Sequence, residues 1–159
     1  LSTAGVGLVN LIFTMLGVSL IDRIGRKSLM YIGSFGYLLS LATVTWAFSS
    51  QMGGTVVVGA VFVFIAAHAI GQGAVIWVFI AEIFPNSVRS KGQSLGSGTH
   101  WVFAALITLI MPQVLASFSA PQVFGFFTFA MFLQLLFVRF LMPETKGRTL
   151  EDVSAALSK

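Results

Sequence analysis

Two sets of side chains in this sequence could do chemistry, and of different kinds. The first is ionic. Asp22, Arg23, Arg26 and Lys27 stand together in DRIGRK, Glu82 and Arg89 flank Pro85, and Glu144, Lys146 and Arg148 crowd into PETKGR. A carboxylate at the end of an apolar helix is costly unless hydrated or paired. A guanidinium fork is its best partner. Three separate segments each bring both signs, so pairs between them would fasten the segments together and release them when broken. Lys91 and Lys159 read instead as ordinary solvated charges.

The second set is polar and aromatic. Asn10 and Thr14 are one helical turn apart, as are His68 and Gln72, and Gly73 and Trp77; Thr99, His100 and Trp101 follow Gly96 and Ser97. Amide, imidazole and indole groups hydrogen-bond, and an indole is also a flat apolar plate. A sugar has hydroxyls around its rim and apolar C–H faces, so it suits such a set. The plainer reading is hydrogen bonding between helices, worth under about 2 kcal/mol each. That reading weighs more for His68, Gln72, Gln113 and Gln134 than for Asn10, Trp77, His100 and Trp101. Gly71 and Gly73 add backbone softness, because glycine costs about 1 kcal/mol inside a helix. They fit close packing, a hinge or close approach of a ligand.

Catalysis finds no support. The two histidines, His68 and His100, are far apart in sequence and have no carboxylate near them within an apolar run. No nucleophile elbow, HExxH or P-loop occurs. There is no cysteine, hence no disulfide or thiolate–metal chemistry. Neither a catalytic residue, a metal site nor a cofactor is expected. The bases sit in short loops rather than on a polar face, which excludes nucleic acid as a partner.

The elements that must position these residues are membrane helices. Only 9% of the 159 residues are charged and 57% are hydrophobic, whereas a soluble domain carries about 25% charge. Such a chain cannot coat itself for water, so a lipid bilayer is its expected surroundings. Five apolar runs, roughly 1–21, 28–48, 56–80, 94–118 and 123–142, are each near the length of about 20 residues that a spanning helix needs. Lipid offers the backbone no partners, so the runs must be helices. The fold class is all-α membrane protein. Residues 143–159 form a tail, in which TLEDVSAAL predicts a short amphipathic helix.

All nine Lys and Arg residues fall in the first and third loops and at the end of the last span, while SSQMGGT and SFSAPQ carry no charge. The positive-inside rule makes the charged face cytoplasmic. The chain would then start outside and end inside, which implies at least one span upstream. Within the spans, Gly33 and Gly36 lighten the second helix, and Gly92 and Gly96 allow close approach of the fourth. Pro112 should kink that fourth helix.

At DRIGRK, AEIFPNSVRSKG and PETKGRTLED the sequence resembles the sugar porter family of the major facilitator superfamily. That family includes animal facilitative glucose transporters and bacterial proton–sugar symporters for xylose, arabinose and galactose. The resemblance covers essentially the whole chain and implies helices eight to twelve of a twelve-helix transporter. The N-terminal half and helix seven would lie upstream. It implies sugar contacts at Asn10, Gly73, Trp77, His100 and Trp101. It also implies a gating network of Asp22, Arg23, Arg26, Lys27, Glu82, Arg89, Glu144 and Arg148.

Two departures stand out. Relatives carry prolines around the glycine pair, where this chain has Gln72, Ala74 and Ile76, and His100 replaces an amide. The expected function is monosaccharide transport by alternating access, as proton-coupled symport, in the plasma (bacterial inner) membrane. A sugar sensor of the same fold, or an inactive truncation, is the alternative.

Overall fold

A computed structural model describes residues 2–51 and 54–147. Arg148 and the helix expected in the tail lie outside the described residues. Among the described residues six helices occur in order: α1 Ser2–Ile24, α2 Arg26–Ser49, α3 Gly54–Ile70, α4 Gln72–Glu82, α5 Arg89–Ser117 and α6 Ala120–Phe140. α3 and α4 share one apolar stretch, so the helices make five candidate spans: Thr3–Ile24, Arg26–Ser49, Gly54–Glu82, Arg89–Ser117 and Ala120–Phe140. Among the described residues there is no strand.

The helices extend beyond the apolar runs at their charged ends. Asp22 and Arg23 belong to the last turn of α1, Arg26 and Lys27 to the first turn of α2, and Arg89 opens α5. Apolar length measures what lipid covers, whereas backbone hydrogen bonding carries a helix on into the polar interface. α1 and α2 are separated by Gly25 alone, at φ +95°. That left-handed backbone is open to glycine and strained for other residues, and it turns the chain in one step. The α5–α6 turn is set by a capping box, with the Ser119 amide donating to Gln122 Oε1 at 2.9 Å. α5 runs through Pro112 without interruption.

α2 is the central helix, packed on α1, α3, α4 and α6. Near its charged end a core of Ile21, Leu29, Met30, Val75, Phe79, Val138 and Met142 joins α1, α2 and α4 to α6 and the residues just after it. Further along, small residues let backbones meet. A methyl group on Gly36 would lie 2.4 Å from Ala67 Cβ, and one on Gly71 would lie 2.7 Å from Gly33 Cα. α5 stands at the edge against α4 and α6, and only its Gly92 is buried, beneath the Phe84 ring.

The long apolar stretch is broken at Gly71, whose φ of −98° and ψ of −102° are not helical. The Gly71 amide still donates to Ala67 O at 3.1 Å, and Val75 N donates to Gly71 O at 2.9 Å. The break is therefore a bend within a nearly continuous hydrogen-bond ladder. It falls at the close Gly33 contact, and no proline is involved.

Candidate functional site

At the charged end the side chains form a compact clamp centred on Arg26. Its Nε donates to Glu82 Oε2 at 3.0 Å and its Nη2 to Glu82 Oε1 at 2.7 Å, the two-pronged geometry that suits guanidinium and carboxylate. Nη1 donates to Asp22 Oδ1 at 2.8 Å and to the Ile21 carbonyl at 3.1 Å. The Arg26 side chain is only 11% exposed, against 80% for Asp22, so the pair with Glu82 dominates.

Glu144 supplies the second half of the clamp. Its carboxylate accepts the backbone amides of Arg26 and Lys27, each at 3.0 Å. These amides open α2, where a helix has unpaired donors and a positive dipole end. Lys146 N adds a third bond to Glu144 Oε1 at 3.0 Å. A methyl group on Gly25 would lie 2.5 Å from Glu144 Oε2, so this glycine both makes the turn and leaves room for the carboxylate.

Two further contacts tie in the segment after α6. The Thr145 hydroxyl donates to Glu82 Oε2 at 2.6 Å, and the Lys146 ammonium donates to the Arg23 carbonyl. Lys27 Nζ reaches the Arg139 carbonyl at 3.3 Å. The ends of α1, α2, α4 and α6 are thereby fastened together.

Arg23 takes part through its carbonyl, and its side chain is exposed. The structure does not bring Arg89 to Glu82. Its Nε and Nη2 are buried and have no hydrogen-bond partner among the described residues. Glu82 points instead to Arg26 and Thr145.

The second group lies inside the spans, in the halves nearer the charged end. Trp77 on α4 meets His100 on α5 edge-to-face, with ring centroids 5.2 Å apart and planes at 79°. His100 meets Trp101 in the same manner, at 5.3 Å and 78°. Trp77 is 40% exposed and Trp101 65%. Gly73 stands one turn before Trp77 and lies against the His68 ring; a methyl group there would be 3.1 Å from His68 Nε2. Asn10 lies on α1 and is exposed, and its side chain accepts from the Thr14 hydroxyl at 3.4 Å. The structure thus gathers Gly73, Trp77, His100 and Trp101 and leaves Asn10 apart on α1.

An apolar cavity of about 440 Å³ lies elsewhere, between α5 and α6, with Ile107, Met111, Phe118 and Phe126 in its wall. It holds neither the aromatic group nor the charges. Among the described residues no cluster of His, Asp and Glu is arranged to hold a metal.

Sequence reasoning did not single out Thr145, Gly25 or Tyr37. Thr145 was legible only as a neighbour of Glu144 in PETKGR. Gly25 sits inside DRIGRK between two charged pairs, where a forced turn was the available signal. Tyr37 gave none, because its partner His68 is thirty-one residues away.

The family model for "Sugar (and other) transporter" matches residues 1–157. The D-xylose-proton symporter of Escherichia coli is 32% identical over 161 residues, covering 98% of this chain and 33% of its own length. Human solute carrier family 2, facilitated glucose transporter member 3, is 35% identical over 159 residues, covering 98% and 32%. The solved inward-open xylose transporter of E. coli superposes with a TM-score of 0.91 at 32% identity, covering 98% of this chain and 35% of that one. The chain spans about a third of the length of the curated relatives it matches. With five helices of spanning length, this likeness makes it an integral, multi-pass membrane protein built as part of the C-terminal six-helix bundle of a twelve-helix architecture. The chain belongs to the sugar transporter family, the sugar porters of the major facilitator superfamily.

Proposed function

We propose that this chain is the sugar-facing and gating part of a monosaccharide transporter that works by alternating access as a proton-coupled symporter. One observation carries the reading: α4, only 11 residues long, bears Trp77 of the aromatic group and Glu82 of the ionic clamp. Sugar would bind against Gly73, Trp77, His100 and Trp101, with Asn10 contributing from α1, between this helix set and an upstream half. The indoles offer apolar plates to C–H faces, and imidazole and amide groups meet hydroxyls.

The clamp of Arg26, Glu82, Asp22 and Glu144 would hold the cytoplasmic side closed, and its release would open that side to water. Arg23 and Lys27 add backbone and ammonium contacts to it. Arg89 and Arg148 would join when the loops rearrange. The charge asymmetry supports a cytoplasmic clamp, with the uncharged loops outside; the plasma membrane would be its location.

The test is uptake of radiolabelled D-xylose and D-glucose by the full-length protein in proteoliposomes, with and without an imposed inward proton gradient. Wild type should accumulate at least one sugar, faster under the gradient. Trp77→Ala should reduce binding and uptake at least tenfold. Unchanged uptake in Trp77→Ala would remove the site assignment, and indifference to the gradient would remove the symport.

A further inference from the structure

Beside Gly73 of the aromatic group lies a half-buried polar pair that the proposed mechanism does not use. Tyr37 on α2 is 6% exposed, and its hydroxyl is hydrogen-bonded to His68 Nδ1. Phe64, one turn before His68, stacks on the Tyr37 ring at 4.6 Å and fixes its direction. The other edge of the imidazole faces Gly73, where a methyl group would lie 3.1 Å from Nε2 and 3.3 Å from Cδ2. No side chain at position 73 screens that edge from the surface of α4. His68 itself is exposed, halfway along its span.

The burial of Tyr37 decides the tautomer. A buried hydroxyl proton with no acceptor is costly, and His68 Nδ1 is the acceptor it has among the described residues. If Nδ1 carried the ring proton, the tyrosine proton would be left without a partner. The neutral ring therefore keeps its proton on Nε2, and the edge beside Gly73 is a hydrogen-bond donor.

We infer that His68 is a specificity-determining contact of the sugar site, donating from Nε2 to one hydroxyl oxygen of the monosaccharide, with Tyr37 as the positioning residue that fixes the tautomer. This rests on the sugar-binding reading above and deepens it, since it assigns a donor of fixed tautomer beside the indole plates. Trp77 would set where the ring lies, and His68 would set which oxygen is read.

The experiment is sugar binding to the purified full-length protein, followed by tryptophan fluorescence and by uptake. The probes are D-glucose, D-xylose and the monodeoxy analogues of each. His68→Phe should weaken the parent sugar roughly five- to tenfold, the scale of one hydrogen bond. It should leave unchanged the one analogue that lacks the oxygen His68 reads. His68→Gln, which keeps a donor, should restore most of the affinity. Tyr37→Phe keeps the stack on Phe64 and should blunt the discrimination between the parent and that analogue, with little effect on the analogue itself.

Equal weakening of every analogue by His68→Phe would show a packing role and overturn the inference. So would an unchanged pattern. If wild type binds sugar without moving it, transport fails as a reading and the analogue pattern still decides this inference. If wild type binds none of the probes, both fall.

Discussion

Arg26 shows why the position of a charge matters more than its sign. Its fork on Glu82 is largely buried, whereas its bond to Asp22 reaches a carboxylate 80% exposed. Arg26→Met should cost on the order of 3 kcal/mol, because it strands Glu82 with Thr145 as its remaining described side-chain partner. Asp22→Asn should cost under about 1 kcal/mol, as solvent screens that pair. Chemical unfolding of the full-length protein in mixed micelles compares them, and equal losses would refute the ranking. Gly25→Ala should weaken the same clamp by a different route. It forces a β-carbon onto φ +95° and pushes it to 2.5 Å from Glu144 Oε2. At this scale the sequence was legible in part. The three charged segments read as one network, and they do converge. That Glu82 would choose Arg26 over Arg89 was not legible, because seven residues of separation in sequence say nothing about which helix end lies across the interface.

The bend at Gly71 belongs to the scale of elements. The sequence offered two soft positions in this helix, Gly71 and Gly73, and withheld which would bend. The choice is made by α2, whose Gly33 comes within backbone contact of Gly71. Gly73 has the other role of admitting the His68 ring. A β-carbon at Gly71 would meet backbone on two sides, Gly33 Cα at 2.7 Å and Ala67 O at 3.0 Å, and these atoms can yield only by moving a helix. Gly71→Ala and Gly33→Ala should therefore each destabilise by about 1–3 kcal/mol through overpacking. They should be non-additive, since either alone already separates the helices. Thermal unfolding of both single variants and the double variant closes the cycle, and strict additivity would show that the two glycines do not share a contact.

Across the whole molecule, the number of candidate spans followed from the five apolar runs, because lipid leaves the backbone no choice but helix. The site did not follow so readily, since Trp77, His100 and Trp101 meet only once α4 lies on α5. Absence of cysteine makes this stretch a clean background for topology mapping. Ser50 and Ser90 are both exposed, one at the uncharged end of α2 and the other in the first turn of α5. In intact cells, Ser50→Cys should react with a membrane-impermeant maleimide, and Ser90→Cys should react only after permeabilisation. The reverse pattern would invert the assigned orientation. The bend at Gly71 also has a mechanical consequence. α4 is a short rod with its fulcrum at one end, Trp77 partway along and Glu82 at the tip. At about 1.5 Å per residue these lie roughly 9 and 16 Å from the fulcrum, so a swing of about 10° would carry Trp77 about 1.6 Å and Glu82 nearly 3 Å. The lever amplifies: a small adjustment of the indole to its ligand would reach the Arg26 fork as a displacement about as long as the bonds that hold it.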